Sequence, residues 1–196
     1  PVVIAVLTND TDPNGDPLTV STATAPNGSV TINADGTLNY TPVANFNGTD
    51  TITYTITDPA GHQASSTVAV TVNPINDAPV AENDSTATAF NTAVIIAPLV
   101  NDSDVDTATD GQVLRIDSVS TIDGQTHGTV SLLTLADGSQ QVQFVPEANF
   151  HGTATFSYAV SDGNGGLVSS TASVNVAAVN DVPVTLGESA STDEDT

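Results

Sequence analysis

Two short loops in this chain crowd carboxylates two residues apart. One reads Asn9-Asp10-Thr11-Asp12-Pro13-Asn14-Gly15-Asp16. The other reads Asn101-Asp102-Ser103-Asp104-Val105-Asp106, with Asp110 further on. Carboxylates so spaced cannot escape each other's field. A hard cation taking six to eight oxygen ligands relieves the repulsion, and Ca2+ tolerates the irregular geometry of a loop where Mg2+ demands near-octahedral order. Soft metals are disfavoured because the chain has no Cys and only three scattered His. The first loop starts like an EF-hand, with Asp10, Asp12, Asn14 and Gly15 at positions one, three, five and six. Position twelve is then Ser21 rather than Glu, and Thr107 replaces the glycine in the second loop. An EF-hand is therefore rejected.

More carboxylates accompany the loops. Asn76-Asp77-Ala78-Pro79 and Asn180-Asp181-Val182-Pro183 sit in linker-like stretches, Asp84 follows the first, and Asp58 and Asp162 head turns that contain glycine. Formal charge is −22, from 23 acidic side chains against one basic one, Arg115. That excludes binding to a phosphate backbone, which needs clustered Lys or Arg, and argues against docking on an anionic membrane. A compact chain so charged repels itself, and with no basic residues at hand the neutralising partner is expected to be a metal ion. Absence of Cys excludes a thiol nucleophile and a thiolate metal site. The lack of an initiator Met, a signal peptide or a long apolar run marks the chain as an internal piece of something longer.

The elements that must hold these loops are strands. Ile52, Tyr54 and Ile56 alternate with Thr; Phe156, Tyr158 and Val160 alternate with Ser and Ala; Val68, Val70 and Val72, then Val174 and Val176, do the same. Period-two alternation in Thr, Val and Ile suits half-buried strands. Asn-Gly and Asp-Gly pairs at Asn27, Asp35, Asn47, Asp123, Asp137 and Asp162 punctuate the runs. The fold class is all-β, built as sandwiches.

The chain also repeats itself. Tyr40-x-Pro42-x-Ala44-Asn45-Phe46-x-Gly48-Thr49, Tyr54, Asp58, Ser65-Ser66-Thr67 and Asn76-Asp77-x-Pro79 return as Phe144-x-Pro146-x-Ala148-Asn149-Phe150-x-Gly152-Thr153, Tyr158, Asp162, Ser169-Ser170-Thr171 and Asn180-Asp181-x-Pro183. The offset is constant (162 − 58 = 104). A period this long means tandem whole domains. Residues 1–77 form one module, 78–181 a complete second, and 182–196 the linker and start of a third. Val3 to Asp10 matches Ile95 to Asp102, so Ala78 to Val94 has no counterpart and the first module lacks its opening strand. Either the chain is cut there or that strand comes from elsewhere in the parent.

Ser161-Asp162-Gly163, Ser169 to Val174, and Asn180-Asp181-x-Pro183 resemble the end of a cadherin repeat. As a whole the chain resembles the cadherin-like, immunoglobulin-like tandem repeats that serve as extender modules in very large bacterial RTX adhesins. The resemblance covers both copies almost end to end and is carried by motif order and spacing. It implies tandem immunoglobulin-like sandwiches with Ca2+ held at the junctions between successive modules. Asn76 and Asp77 would act with Asp102, Asp104 and Asp162, while Asp106 in the same loop and Asp84 close by are further candidate ligands. Asp10, Asp12 and Asp58 would face the preceding module; Asn180 and Asp181 would face the following one. The third copy carries Asp193-Glu194 where the second has Ala89-Phe90, so the second lacks a possible Glu ligand. It further implies a monomeric, non-enzymatic spacer on the bacterial surface or secreted. Its partners would be neighbouring repeats, with any host or surface ligand engaged through other domains.

Two rivals remain. A ligand-binding region would want exposed aromatics, yet these are 4% of the chain and most fall at inward positions. The missing strand could still mark where a binding domain is inserted. An enzyme could use carboxylate pairs on glycosides, but carboxylates in repeated loops fit a structural ion better. His62, His127 and His151 are read as turn residues, and Phe46 and Phe150 as plugs of the core.

Overall fold

The computed structural model describes residues 1–107, 111–180 and 187–189. Asp110, Asp181 and most of 182–196 lie outside the described residues. The chain divides into two compact units. Unit 1 comprises Pro1–Asp77 with Asp104–Val113, and unit 2 comprises Ala78–Ser103 with the chain from Leu114 onward.

Unit 1 is built from β1 (Val2–Ile4), β2 (Thr19–Thr24), β3 (Gly28–Ile32), β4 (Leu38–Pro42), β5 (Gly48–Thr57) and β6 (Gln63–Val72), with a 3-10 turn at Val6–Asn9. One sheet has the order β1-β4-β3, the other β2-β5-β6. Alternation along β5 sends Asp50, Ile52 and Tyr54 inward and the intervening threonines outward. Val6, Leu38, Tyr40, Ile52 and Tyr54 form the buried core, with Val68, Val70 and Val72 half-buried at its flank.

Unit 2 repeats this plan and adds one strand. It holds β7 (Asp84–Thr88), β8 (Val94–Ile96), β9 (Arg115–Thr121), β10 (Gly128–Thr134), β11 (Gln140–Pro146), β12 (Gly152–Ser161) and β13 (Leu167–Val176). Its sheets run β10-β11-β8 and β7-β13-β12-β9. β7 pairs parallel to β13, from Ala172 opposite Asp84 to Val176 opposite Thr88. Both units carry a bulge at the same place, with Ser21 extra on β2 and Asp117 extra on β9. The core of unit 2 joins Ile96, Ile116, Val142, Phe144, Ala154, Phe156, Tyr158, Val160, Ala172, Val174 and Val176.

The repeated motifs have local causes. In both Ala-Asn-Phe-x-Gly stretches the Asn adopts a left-handed φ, 60° at Asn45 and 64° at Asn149. Asn tolerates that region better than most residues, and the chain so turned enters β5 and β12. Asp35 and Asp137 each take two hydrogen bonds on Oδ1 two residues on, from Thr37 N–H and hydroxyl and from Ser139 N–H and hydroxyl. These close the hairpins β3-β4 and β10-β11 as Asx turns.

One pair of core positions differs between the repeats. Phe144 and Ala154 of unit 2 correspond to Tyr40 and Asp50 of unit 1. Asp50, 1% exposed, accepts hydrogen bonds from Tyr40 Oη at 2.8 Å, Thr51 N at 2.8 Å and Asn27 N at 3.1 Å. Burial pushes the Asp50 carboxyl up, but the donors prevail and hold it below its ordinary value. The Tyr40 hydroxyl is pushed up to about 12 by burial and by the neighbouring carboxylate. Because Asp50 is more acidic folded than unfolded, its contribution is present above the unfolded pKa and lost as pH falls through the folded one. Asp50→Ala leaves the Tyr40 hydroxyl without its best acceptor, a loss of about 1–3 kcal/mol. The double variant Y40F/D50A reproduces the pairing of unit 2. It is expected to be more stable than either single variant, and to lose less stability on acidification than the parent. Urea melts at neutral and acid pH check this; additive losses would refute the coupling.

Candidate metal centre

In unit 2, Asp102 follows the 3-10 turn Pro98–Val100, and Asp84 opens β7. The Val80–Ser103 bridge, with N–H to carbonyl distances of 2.7 and 3.0 Å, fixes the loop beside the strand that leads to β7. Asp102 Oδ1 accepts from Glu82 N at 2.8 Å. Tyr158 Oη donates to the Glu82 carbonyl at 2.7 Å. Asn101, with its amide nitrogen turned toward these acceptors, donates to Pro98 O at 2.6 Å and to Asp84 Oδ1 at 3.3 Å. Asp84 Oδ2 and Asp102 Oδ2 are buried and take no hydrogen bond. Burial raises the pKa of both carboxyls, and for Asp102 the charges of Asp84 and Glu82 add to the rise. Burial, chiefly, also holds the Tyr158 hydroxyl far above its ordinary value. A buried carboxylate oxygen with no donor is costly unless a cation meets it.

Asp162, 3% exposed, closes its turn by accepting from Asn164 N at 2.7 Å and from Gly166 N at 2.9 Å. A Cβ at Gly166 would collide with Asp162 Oδ2 and come within 2.8 Å of Pro79 Cδ. Asn83, beside Asp84, accepts from the hydroxyls of Ser170 and Thr171 at 3.0 and 2.8 Å. The repeated Ser-Ser-Thr motif thus anchors β7 in this unit.

In unit 1 the carboxylates fall into two groups. Asp104 and Asp106 belong to the Asp104–Val113 segment. Asp106 Oδ2 accepts from Asp77 N at 2.7 Å, and Asp106 N donates to Asp104 Oδ1 at 2.7 Å. Gln112 Nε2 donates to Asn76 Oδ1 at 2.9 Å. Asp104 Oδ2 is buried without a hydrogen bond. In the second group Tyr54 Oη donates to Asp10 Oδ2 at 3.1 Å. Asp12 Oδ1 accepts from Asn14 N at 2.7 Å and Asp16 N at 3.2 Å. An open hollow of about 330 Å3 is lined by Asp10, Asp12 and Asp16. Asp58 is engaged by His62, through N–H and Nδ1, both at 2.8 Å. That hydrogen bond lowers the Asp58 pKa and raises that of His62.

Of the twelve expected site residues Asp181 lies outside the described residues, and the other eleven are distributed. Asp84, Asp102 and Asp162 lie in unit 2 with Asn180, which is exposed. Asn76, Asp77, Asp104 and Asp106 interlock within unit 1, and Asp10, Asp12 and Asp58 border its other loops. Among the described residues no three Asp, Glu or His side chains converge closely enough to hold an ion alone. Ligands beyond Asp84 and Asp102 would have to include amide or backbone oxygens, which Ca2+ accepts. Sequence reasoning missed Glu82, whose backbone rather than side chain braces the site. It also missed Gln112 and the buried Asp50, although Asp50 stands in phase with Ile52 and Tyr54. Of the histidines, His127 has a left-handed φ of 44° and stacks on Phe150 at 4.4 Å, while Phe150 packs against the core.

A family model described as Bacterial Ig domain matches residues 1–71 and 76–177. No curated protein matches. Among solved structures, the endo-fucoidan hydrolase MfFcnA4 of glycoside hydrolase family 107 is 20% identical with a TM-score of 0.38, over 85% of this chain and 24% of that one. Protocadherin gamma B7 cadherin domains 1–4 are 14% identical with a TM-score of 0.46, over 85% of this chain and 42% of that one. The human desmocollin-1 ectodomain is 14% identical with a TM-score of 0.42, over 88% of this chain and 36% of that one. The chain thus spans well under half the length of each.

Proposed function

The chain belongs to the bacterial Ig domain family, and from that premise we propose that its two modules are Ca2+-stiffened spacers of a bacterial surface adhesin. The observation that carries this reading is the pair of buried oxygens, Asp84 Oδ2 and Asp102 Oδ2, that no donor meets. The chain has one basic side chain, Arg115, to set against 23 acidic ones, so protein cations cannot neutralise them. Ca2+ held by Asp84 and Asp102 would supply that charge. Asp104 and Asp106, with Asn76, Asp77 and Asp162, would complete the set where one module follows another. Asp10, Asp12 and Asp58 would serve the preceding junction, Asn180 and Asp181 the next.

The mechanism is mechanical and involves no reaction. Without the ion, like charges repel beside a linker; with it, the ion ties carboxylates of successive modules together and fixes their angle. Extracellular sites of this class fill at about 10^-4–10^-3 M, a range that suits a protein outside the cell. Among the described residues no helix is long and apolar enough to cross a membrane.

Small-angle scattering tests the reading. In Ca2+ the parent should give a narrow distribution of shapes, which broadens in EDTA. Asp104→Asn should stay broad in Ca2+ while its circular dichroism remains that of the parent. Identical scattering of the parent with and without Ca2+ would remove the proposal.

A further inference from the structure

Among the described residues, the buried side-chain atoms that take no hydrogen bond are Asp84 Oδ2, Asp102 Oδ2, Asp104 Oδ2 and Gln112 Oε1. Three belong to carboxylates. The fourth is a neutral amide oxygen on a residue only 7% exposed, in the Asp104–Val113 segment of unit 1. A buried acceptor that meets neither a donor nor a cation is costly.

Asp77 anchors two runs of hydrogen bonds, and each ends on one of the orphaned oxygens of unit 1. Its carbonyl can only accept, so the Asn76 side-chain atom 3.0 Å away is the amide nitrogen. That leaves Asn76 Oδ1 as an acceptor, and Gln112 Nε2 donates to it at 2.9 Å. Swapping the Gln112 amide would set oxygen against oxygen. Gln112 Oε1 is thus turned away from Asn76 and has no partner. In the other run, Asp77 N donates to Asp106 Oδ2 and Asp106 N donates to Asp104 Oδ1, both at 2.7 Å. Asp104 Oδ2 is left over. Both runs have a fixed direction and end on an oxygen that no protein donor reaches.

We infer that Gln112 Oε1 is a metal ligand that meets the same Ca2+ ion as Asp104 Oδ2. Asn76 is then a positioning residue, which turns the Gln112 amide toward the ion. This rests on the Ca2+ reading above and deepens it by naming a ligand outside the repeated motif. The stretch from Asp104 to Leu114 is four residues longer than its counterpart from Asp12 to Leu18. Gln112 lies in the longer stretch, and the shorter one contains no Gln. Acidic side chains alone do not complete an ion site here, so a neutral oxygen is the missing kind of ligand. Ca2+ accepts amide carbonyls in irregular sets, whereas Mg2+ keeps its waters.

Calorimetric titration of the 196-residue chain with Ca2+ is the first measurement. Q112M keeps the length of the side chain and removes the oxygen. Outer partners of metal ligands are worth about 10–100-fold in affinity, so loss of the ligand itself should weaken one site at least about tenfold. D104N should weaken the same site, and the double variant should lose that site and no second one. The second measurement is the carbon resonance of the Gln112 side-chain carbonyl in the parent, which needs no variant to fold. It should shift on adding Ca2+, and in N76A it should still shift, at higher Ca2+. A Q112M titration like that of the parent would overturn the inference. So would loss of two sites in the double variant. A Gln112 carbonyl that ignores Ca2+ would overturn it too, by assigning that place to a buried water. In these three cases a parent that binds Ca2+ leaves the spacer reading standing. A parent that binds none removes both.

Discussion

Saturating Ca2+ is expected to raise the melting temperature of the chain by roughly 10–20 °C over its value in EDTA. An ion that binds only the folded state adds about 2.7 kcal/mol at a hundredfold excess over Kd. For a domain of this size each kcal/mol moves the midpoint by about 4–8 °C. The informative variant is Asp102→Asn. It keeps the shape of the side chain and removes a charge that burial and two neighbouring carboxylates disfavour. In EDTA it should melt above the parent, because that repulsion is gone; in Ca2+ it should melt below the parent, because a ligand is gone. Simple structural damage would lower both values. Scanning calorimetry decides the matter, and parent curves that coincide in Ca2+ and EDTA would refute Ca2+ binding.

The second large effect is expected at two glycines. Gly28 and Gly128 open β3 and β10, and each lies under an aromatic ring of the neighbouring strand. A Cβ at Gly128 would collide with the Val145 carbonyl and come within 2.7 Å of Phe144 Cε2. At Gly28 it would collide with Tyr40 Cε2 and come within 2.7 Å of the Thr41 carbonyl. The carbonyls are held in sheet ladders and have little room to yield. Each Gly→Ala change should cost about 3 kcal/mol, the upper end for forcing an atom into a packed core. That corresponds to roughly 12–24 °C in the melting temperature of the affected unit. Gly138→Ala is the comparison: its added Cβ meets nothing within 4 Å, so only its left-handed φ of 86° opposes the change. Equal losses at Gly128 and Gly138 would show that backbone conformation, not ring contact, sets the cost.

Much of this architecture is legible in the residues. Alternation places Ile52, Tyr54, Phe156 and Tyr158 inside, and the structure buries all four. The stretch Ala78 to Val94, which has no counterpart earlier in the sequence, holds β7 of unit 2, paired parallel with β13. The candidate site is only half legible. Carboxylates announce a hard cation by type and spacing, yet Asp102 and Asp104, two residues apart, belong to different compact units. Sequence proximity cannot reveal that division, because it depends on which strand each stretch of loop packs against. Glu82 could not be found at all, since the peptide groups it contributes leave no side-chain signature. Gly28 reads as half of an Asn-Gly turn, and only the ring above it shows why a side chain is excluded. Asp50 was in view: a charge in phase with a buried face marks either an error of phase or a partner inside, and here the partner is Tyr40.

That partnership bears on how such genes change. Tandem repeats exchange segments by unequal crossing-over, most readily where the copies are most alike. In this chain the longest shared stretch, Pro-x-Ala-Asn-Phe-x-Gly-Thr, runs from Pro42 to Thr49 and from Pro146 to Thr153. It lies between the members of each core pair, Tyr40 and Asp50 in one repeat, Phe144 and Ala154 in the other. A crossover in the stretch would yield a hybrid module with Tyr over Ala, or one with Phe over a buried carboxylate. Both hybrids inherit an unmatched polar group, so selection should remove recombinants joined at the very sequence that most favours their formation. Repeats of this kind would then be exchanged as whole modules, through the linkers, and would keep separate histories in their cores.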